Sequence, residues 1–183
     1  MTAEEGSINV IGLPRCCTGA AALDKGRVAV GSLGAGVCSV DLSTGHTLTT
    51  WRGDDAPQTT ILCAHDNCVT VARADGLVAD LTCEEGAIQE RRLDDEKFSA
   101  CYGISTAPKG DGIILVARRK NDNAPVEVLW RNAENKWTHV DASAPKGSDL
   151  CAGLSCLGDV IVVGGRHMLR AYAVGKKKKG GLA

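Results

Sequence analysis

The sequence predicts an all-β fold of repeated four-stranded antiparallel units, and three observations carry the prediction. Short apolar runs recur at even spacing along the chain, separated by turns rich in Asp, Gly and Ser. Hydrophobic residues make up 44% of the chain but aromatic residues only 3%, so Val, Ile, Leu, Ala and Cys must fill the core. Side chains of that size suit thin, closely spaced layers rather than bulky helix packing. Third, a Cys-x-Gly tripeptide opens three of the units, as Cys17-Thr18-Gly19, Cys101-Tyr102-Gly103 and Cys151-Ala152-Gly153.

Taken in order, residues 1–7 read as a solvated tail, and residues 8–13, ended by Pro14, as a separate edge strand. The first unit, residues 17–53, has runs at 17–23, 28–31, 37–42 and 46–51. Its turns are Asp24-Lys25-Gly26, residues 33–36 and Ser43-Thr44-Gly45. The second unit, residues 60–93, has runs at 61–64, 68–72, 77–82 and 87–93, with turns at Asp66-Asn67, Ala74-Asp75-Gly76 and Glu85-Gly86. Its Asp-Leu pair, glycine turn and following run match those of the first unit, which aligns Asp41 with Asp80. The third unit, residues 99–140, has runs at 100–106, 113–117, 126–130 and 136–140. The run at 113–117 is the best buried-strand candidate, and a polar insert at 118–125 follows it. The fourth unit, residues 149–174, has runs at 150–156, 160–164 and 169–174. It stops one strand short, in a basic tail at 176–183.

Cys17 and Cys101 are separated by two unit lengths of about 42 residues each, the spacing of propeller blades. The tripeptide cysteines and glycines then read as packing positions on an inner strand, where converging blades need small side chains. The expected fold is a β-propeller of four four-stranded blades, a single domain over residues 8–175, a length that suffices for a sizeable core.

Residues 28–42 with their flanks resemble a WD40 repeat. The matching features are the turn Asp24-Lys25-Gly26, the second strand Val28-Ala29-Val30-Gly31-Ser32, and the third strand ending in Asp41 before Thr44-Gly45. At the level of pattern the resemblance runs from Cys17 to Val174. Asp41 and Asp80 stand where that family places its Asp, but Val40 and Ala79 replace the Trp before it. The Gly-His pair is absent, so the family's Asp–His–Ser/Thr–Trp hydrogen-bond network is not carried over.

Propellers avoid free sheet edges by closing the ring, often with strands from both chain ends in one blade. Two closures are open. Either residues 8–13 complete the last blade, or the four blades form part of a larger ring completed by another chain. The usual ring size of the resembled family favours the second.

The net charge of −1 excludes a whole-surface nucleic-acid binder. The N-terminus MTAEEGS is polar and acidic, unlike a secretory signal. Nine cysteines, mostly within apolar runs, read as small buried hydrophobes in a reducing compartment. No apolar run approaches the roughly 20 residues of a membrane helix. The expectation is a soluble protein of the cytoplasm or nucleus, with no membrane association.

Chemistry-bearing motifs are weak. Cys63, His65 and Cys68 are the right ligand types for zinc, but further ligands at matching spacing are missing, and Cys63 and Cys68 flank a hairpin turn where apolar residues belong anyway. No Gly-x-Ser-x-Gly elbow, His-Glu-x-x-His or phosphate loop is present. The glycine-rich residues 31–36 lead into a strand rather than a helix N-terminus. The four histidines fall in different units, with nothing to bring one to a cysteine. The chain therefore reads as non-catalytic, without cofactor or metal, and a cysteine-dependent enzyme is the minor alternative.

The more informative constellation is basic. Loops after the second strand of a unit carry Arg73, then Arg118, Arg119 and Lys120, then Arg166 and His167. In a propeller these equivalent loops share one rim, where they either bind an acidic partner or pair with the acidic connections Asp54-Asp55 and Asp94-Asp95-Glu96. Lys176, Lys177, Lys178 and Lys179 form a tail suited to nuclear import, to phosphate contact or merely to solubility. The functional expectation is a WD40-like protein–protein interaction scaffold within a larger multiprotein assembly. The alternative is an RNA-associated subunit of a ribonucleoprotein or ribosome-assembly complex. Expected partners are other proteins, including another propeller-forming chain, with nucleic acid as the weaker class.

Overall fold

A computed structural model describes residues 17–23, 25–32, 36–51, 60–65, 68–84, 87–93, 98–107, 112–120, 125–132, 134–141, 150–157, 160–165 and 168–173. Every regular element among them is a strand, and within each of four sheets the strands pair in sequence order. The first sheet holds β1 (Cys17–Ala22), β2 (Arg27–Ser32), β3 (Gly36–Asp41) and β4 (Thr47–Trp51). The second holds β5 (Thr60–His65), β6 (Cys68–Arg73), β7 (Val78–Glu84) and β8 (Ala87–Arg92). The third holds β9 (Phe98–Thr106), β10 (Ile113–Arg119), β11 (Val126–Arg131) and β12 (Trp137–Asp141). The fourth holds β13 (Leu150–Leu157), β14 (Val160–Gly165) and β15 (Met168–Ala173). All pairings are antiparallel. The apolar runs of the sequence thus mark the strands to within a few residues, and the fourth sheet has three strands among the described residues.

Tight turns keep each sheet a simple meander. Lys25 and Gly26 both take positive φ (54° and 70°) between β1 and β2, as a mirror-image hairpin turn requires. Gly76 (φ +93°) closes the β6–β7 turn, where a Cβ would lie 2.2 Å from the Phe98 carbonyl oxygen of the next sheet. A glycine there lets the turn of one sheet press on the backbone of its neighbour.

The sheets stack in series. β1 lies against β5, β5 against β9 and β9 against β13, so the first strand of each unit is its inner strand. Among the described residues β13 makes no comparable approach to β1. Three apolar interfaces result. Ala29, Val37 and Trp51 meet Val69, Val71, Ala79 and Leu81 between the first and second sheets. Ala72 and Val78 meet Phe98, Cys101, Leu115, Ala117 and Leu129 between the second and third. Ala107, Ile114, Val116, Val126 and Val128 meet Ile161 and Val163 between the third and fourth. Leu115 faces one neighbouring sheet and Ile114 the other, so residues 113–117 are buried on both sides, as the sequence predicts.

Two expectations need correction. Cys101 is buried, but Cys17 is exposed: its strand begins the first sheet, with no sheet preceding it among the described residues. Asp41 and Asp80 are not structural equivalents. Asp41 pairs with Arg27, the first residue of β2, whereas Asp80 pairs with Thr70, the third residue of β6. Ser39, opposite Ala29, holds the position of Asp80. A slip of two residues keeps the same face buried, so alternation alone does not expose it. The N-terminal strand expected at 8–13 lies outside the described residues.

Candidate partner-binding rim

In each sheet the second strand ends where the connection to the third strand begins. Arg73 ends β6, Arg118 and Arg119 end β10, and Lys120 follows it. Arg166, His167 and Lys176, Lys177, Lys178 and Lys179 lie outside the described residues, as do the acidic connections at 54–55 and 94–96.

The described cations are used differently. Arg73 is buried and forms a two-pronged ion pair with Asp75 in its own turn. Hydrogen bonds from Arg73 hold the Asp75 carboxyl below the usual carboxylate range, and burial opposes them only partly. This arginine therefore stabilises the turn rather than presenting itself at the rim. The end of β10 is irregular, with register shifts between Val116 and Ala117 and between Arg118 and Arg119. The Ser99 hydroxyl donates to the Arg119 carbonyl oxygen (3.1 Å), fixing that end. Arg118 is exposed, with its guanidinium 5.9 Å from the centroid of the Tyr102 ring, and Lys120 is also exposed.

Arg119 turns back onto the sheet. Its Nε donates to Glu127 Oε2 (2.9 Å), and its Nη2 lies 3.3 Å from His139 Nε2. His139 Nδ1 is 3.5 Å from the same Glu127 oxygen. This geometry fits the tautomer with the proton on Nδ1, facing Glu127, while Nε2 accepts from Arg119. This cluster adds Glu127 and His139 to the basic residues expected from the sequence. Its signal was Glu127 itself, a carboxylate inside an otherwise apolar run that needs a cation when buried. The arrangement leaves Arg118 and Lys120 as the solvent-facing cations of the third sheet's rim turn, on a backbone held by Ser99. Such a pair is suited to carboxylate or phosphate groups.

A second charged cluster sits inside the stack. Asp80 accepts from Thr70 Oγ1 (2.6 Å), Arg91 Nη2 (2.9 Å) and Arg131 Nη2 (3.0 Å). Burial pushes its carboxyl up, but these bonds and the Arg131 charge outweigh burial and leave it below 3.8. Arg131, on β11, thereby bolts the third sheet to the second, with its guanidinium 5.9 Å from the Trp137 ring centroid.

The thiols nearby are not activated. Burial pushes Cys63 up to about 12, and Cys101 likewise to about 12. Among the described residues no group of three His, Cys, Asp or Glu side chains is placed to hold a metal ion, and no helix is long and apolar enough to cross a membrane.

The fold is similar to known ones. The chain resembles the β-propeller domain of Myceliophteria thermophila Cps50 (Swd1), at 13% identity and a TM-score of 0.63, over 94% of this chain and 56% of that one. It also resembles two computationally designed proteins. With Ika4 the identity is 21% and the TM-score 0.57, over 96% of this chain and 100% of Ika4. With Ika8 the identity is 20% and the TM-score 0.55, over 91% of this chain and 48% of Ika8. Compared with protein-family models and with curated protein sequences, the chain matches none. The likeness to the Cps50 domain identifies the fold as that of a β-propeller, and this chain spans about half the length of two of the three.

Proposed function

We propose that this chain is a non-catalytic, WD40-like propeller platform of four blades that binds protein partners and serves as a subunit of a larger intracellular assembly. The observation that carries the reading is the rim turn of the third sheet. It presents Arg118 and Lys120 to solvent on a strand end fixed by Ser99, while Arg119 is tied to Glu127 and His139. A stiff stack that shows fixed cations at one end suits recognition of an acidic peptide segment. The buried thiols, pushed to about 12, are protonated at neutral pH and so are poor nucleophiles, which favours binding over catalysis.

The test is recovery of bound proteins from cells by the intact chain and by an Arg118→Glu/Lys120→Glu double variant. Loss of the same proteins from the variant, with an unchanged melting curve, is the expected result. Unaltered recovery overturns the rim assignment. Binding to RNA whose affinity falls steeply with salt, and is lost in the variant, replaces the protein-partner reading with the ribonucleoprotein one.

A further inference from the structure

Among the described residues the outer strands β4, β8 and β12 each pair only with the strand before them, so each has one unpaired edge. Such an edge presents a row of backbone N–H and C=O groups to any other chain, and charged side chains are the usual guard against unwanted pairing. β8 carries Glu90, Arg91 and Arg92, and β12 carries His139 and Asp141. β15, the last strand of the fourth sheet, carries Arg170. β4, which reads Thr47-Leu48-Thr49-Thr50-Trp51, carries no charge. Its threonines, branched at Cβ, favour extended backbone.

Strand register sharpens the contrast. The β3–β4 pairing shifts between Ser39 and Val40, which pair with Thr49 and Thr47, so Leu48 stands opposite no residue of β3. β12 has a comparable shift, but its unmatched residue, Val140, packs against the core between the third and fourth sheets. Leu48 has no such cover and is 49% exposed, and Leu42, across the turn that leads into β4, is 47% exposed. Thr47 and Thr50 are exposed as well. Trp51 alone is buried, packed with the second sheet, and its indole N–H donates to Glu90 Oε2 (2.8 Å). The strand is thus anchored at its last residue and open to solvent before it.

We propose that β4 is a docking edge for an extended, uncharged segment of a partner protein, which adds a strand to the first sheet. Backbone hydrogen bonds to β4 hold the segment, one of its apolar side chains lies beside Leu48, and its β-branched residues face the threonines. Charge selects against an acidic segment here, because the Asp41 carboxylate, bonded to Ser43 and Thr44, stands in the adjoining turn. Length selects against a second folded copy. An edge of five residues is about 17 Å long, too short for the roughly 1,200 Å² that a stable contact between folded proteins buries. One extended segment matches it. This surface is separate from the cations of the third sheet's rim turn and takes a partner of different chemistry.

The test titrates the intact chain with acetylated, amidated pentapeptides in which Val, Ile or Leu alternates with Thr, and follows the backbone amide NMR signals of residues 47–51. Saturable shifts centred on those residues are expected. The same peptides N-methylated at alternate residues should cause none, because they lack the donors that complete a ladder. Leu48→Lys and Thr50→Lys place a guarding charge on the edge, and each should weaken the titration by about 10-fold or more with an unchanged melting midpoint. Peptides that leave residues 47–51 unmoved, or that bind the lysine variants as well as the intact chain, overturn the proposal. So does an intact chain that sediments as a dimer and becomes a monomer in both lysine variants, since a second copy would then hold the edge. The Arg118→Glu/Lys120→Glu variant should keep the peptide titration, and the lysine variants should keep the rim-dependent partners, so failure of either surface is read without the other.

Discussion

The inner two sheets and the outer two are built from the same strand chemistry but end in different environments. β6 and β10 are covered on both faces: Val69, Val71 and Ala72, like Ile113, Ile114, Leu115 and Val116, are fully buried. β15 alternates between exposed and half-buried positions, and Leu169 stands largely in solvent. The same difference governs charge. Between the second and third sheets Asp80 and Arg131 are deeply buried and matched across the interface, whereas the outward faces of the first and fourth sheets carry no charge among the described residues. A sheet with two neighbours can bury a charge because its neighbour supplies the counter-ion. The fourth sheet, by contrast, leaves apolar side chains such as Leu169 in solvent.

The largest effect that would break this comparison is expected at Asp80. Asp80→Ala leaves Arg131 buried with no carboxylate, and should cost about 3–5 kcal/mol in denaturant unfolding. A loss below about 1 kcal/mol would mean that the ion pair does not tie the inner sheets together. The same carboxylate sets a pH window. Its folded pKa lies below the usual aspartate range, so its stabilisation is present above the unfolded pKa and is lost as pH falls through the folded one. Acid titration of unfolding should therefore steepen below about pH 4 in the intact chain, and less so in Asp80→Asn.

Leu115→Ala, at a site buried on all sides, should cost about 2–5 kcal/mol. Gly76→Ala should cost about 1–3 kcal/mol, because the new Cβ would meet the Phe98 carbonyl oxygen at 2.2 Å and φ is +93°. At the small end, Leu169→Ala should change the stability of the single chain by under about 0.5 kcal/mol. A cost there near that of Leu115→Ala would show that the outer face is already covered within one chain. Thiol labelling sharpens the contrast without any substitution. Cys17 is exposed and should react with an aromatic disulfide reagent under native conditions, while Cys63 and Cys101 should stay protected until unfolding.

Much of the fold was legible because strand and turn signals are local. Gly76 and Gly26 take the positive φ that their turns need, and the runs between such turns became strands. The candidate rim was legible only in outline. The position of Arg73, Arg118, Arg119 and Lys120 at strand ends follows from the repeat, but their roles do not. Arg73 and Arg119 became internal partners of Asp75 and Glu127, and only Arg118 and Lys120 face solvent. Nothing in the local pattern distinguishes a cation that folds back from one that points outward, since a carboxylate one strand away decides it.

By itself the sequence determined the described strands, their turns and the small-residue core, because each depends on neighbours along the chain. Tertiary structure alone decided that Asp80 and not Asp41 is the buried aspartate, since a slip of two residues in register leaves alternation intact and moves the carboxylate from a turn into an interface. It also decided which faces find a neighbour. Every sheet here has apolar residues on both sides, and the stacking order leaves Leu169 and Val160 of the fourth sheet exposed while Val30 and Val40 of the first are buried.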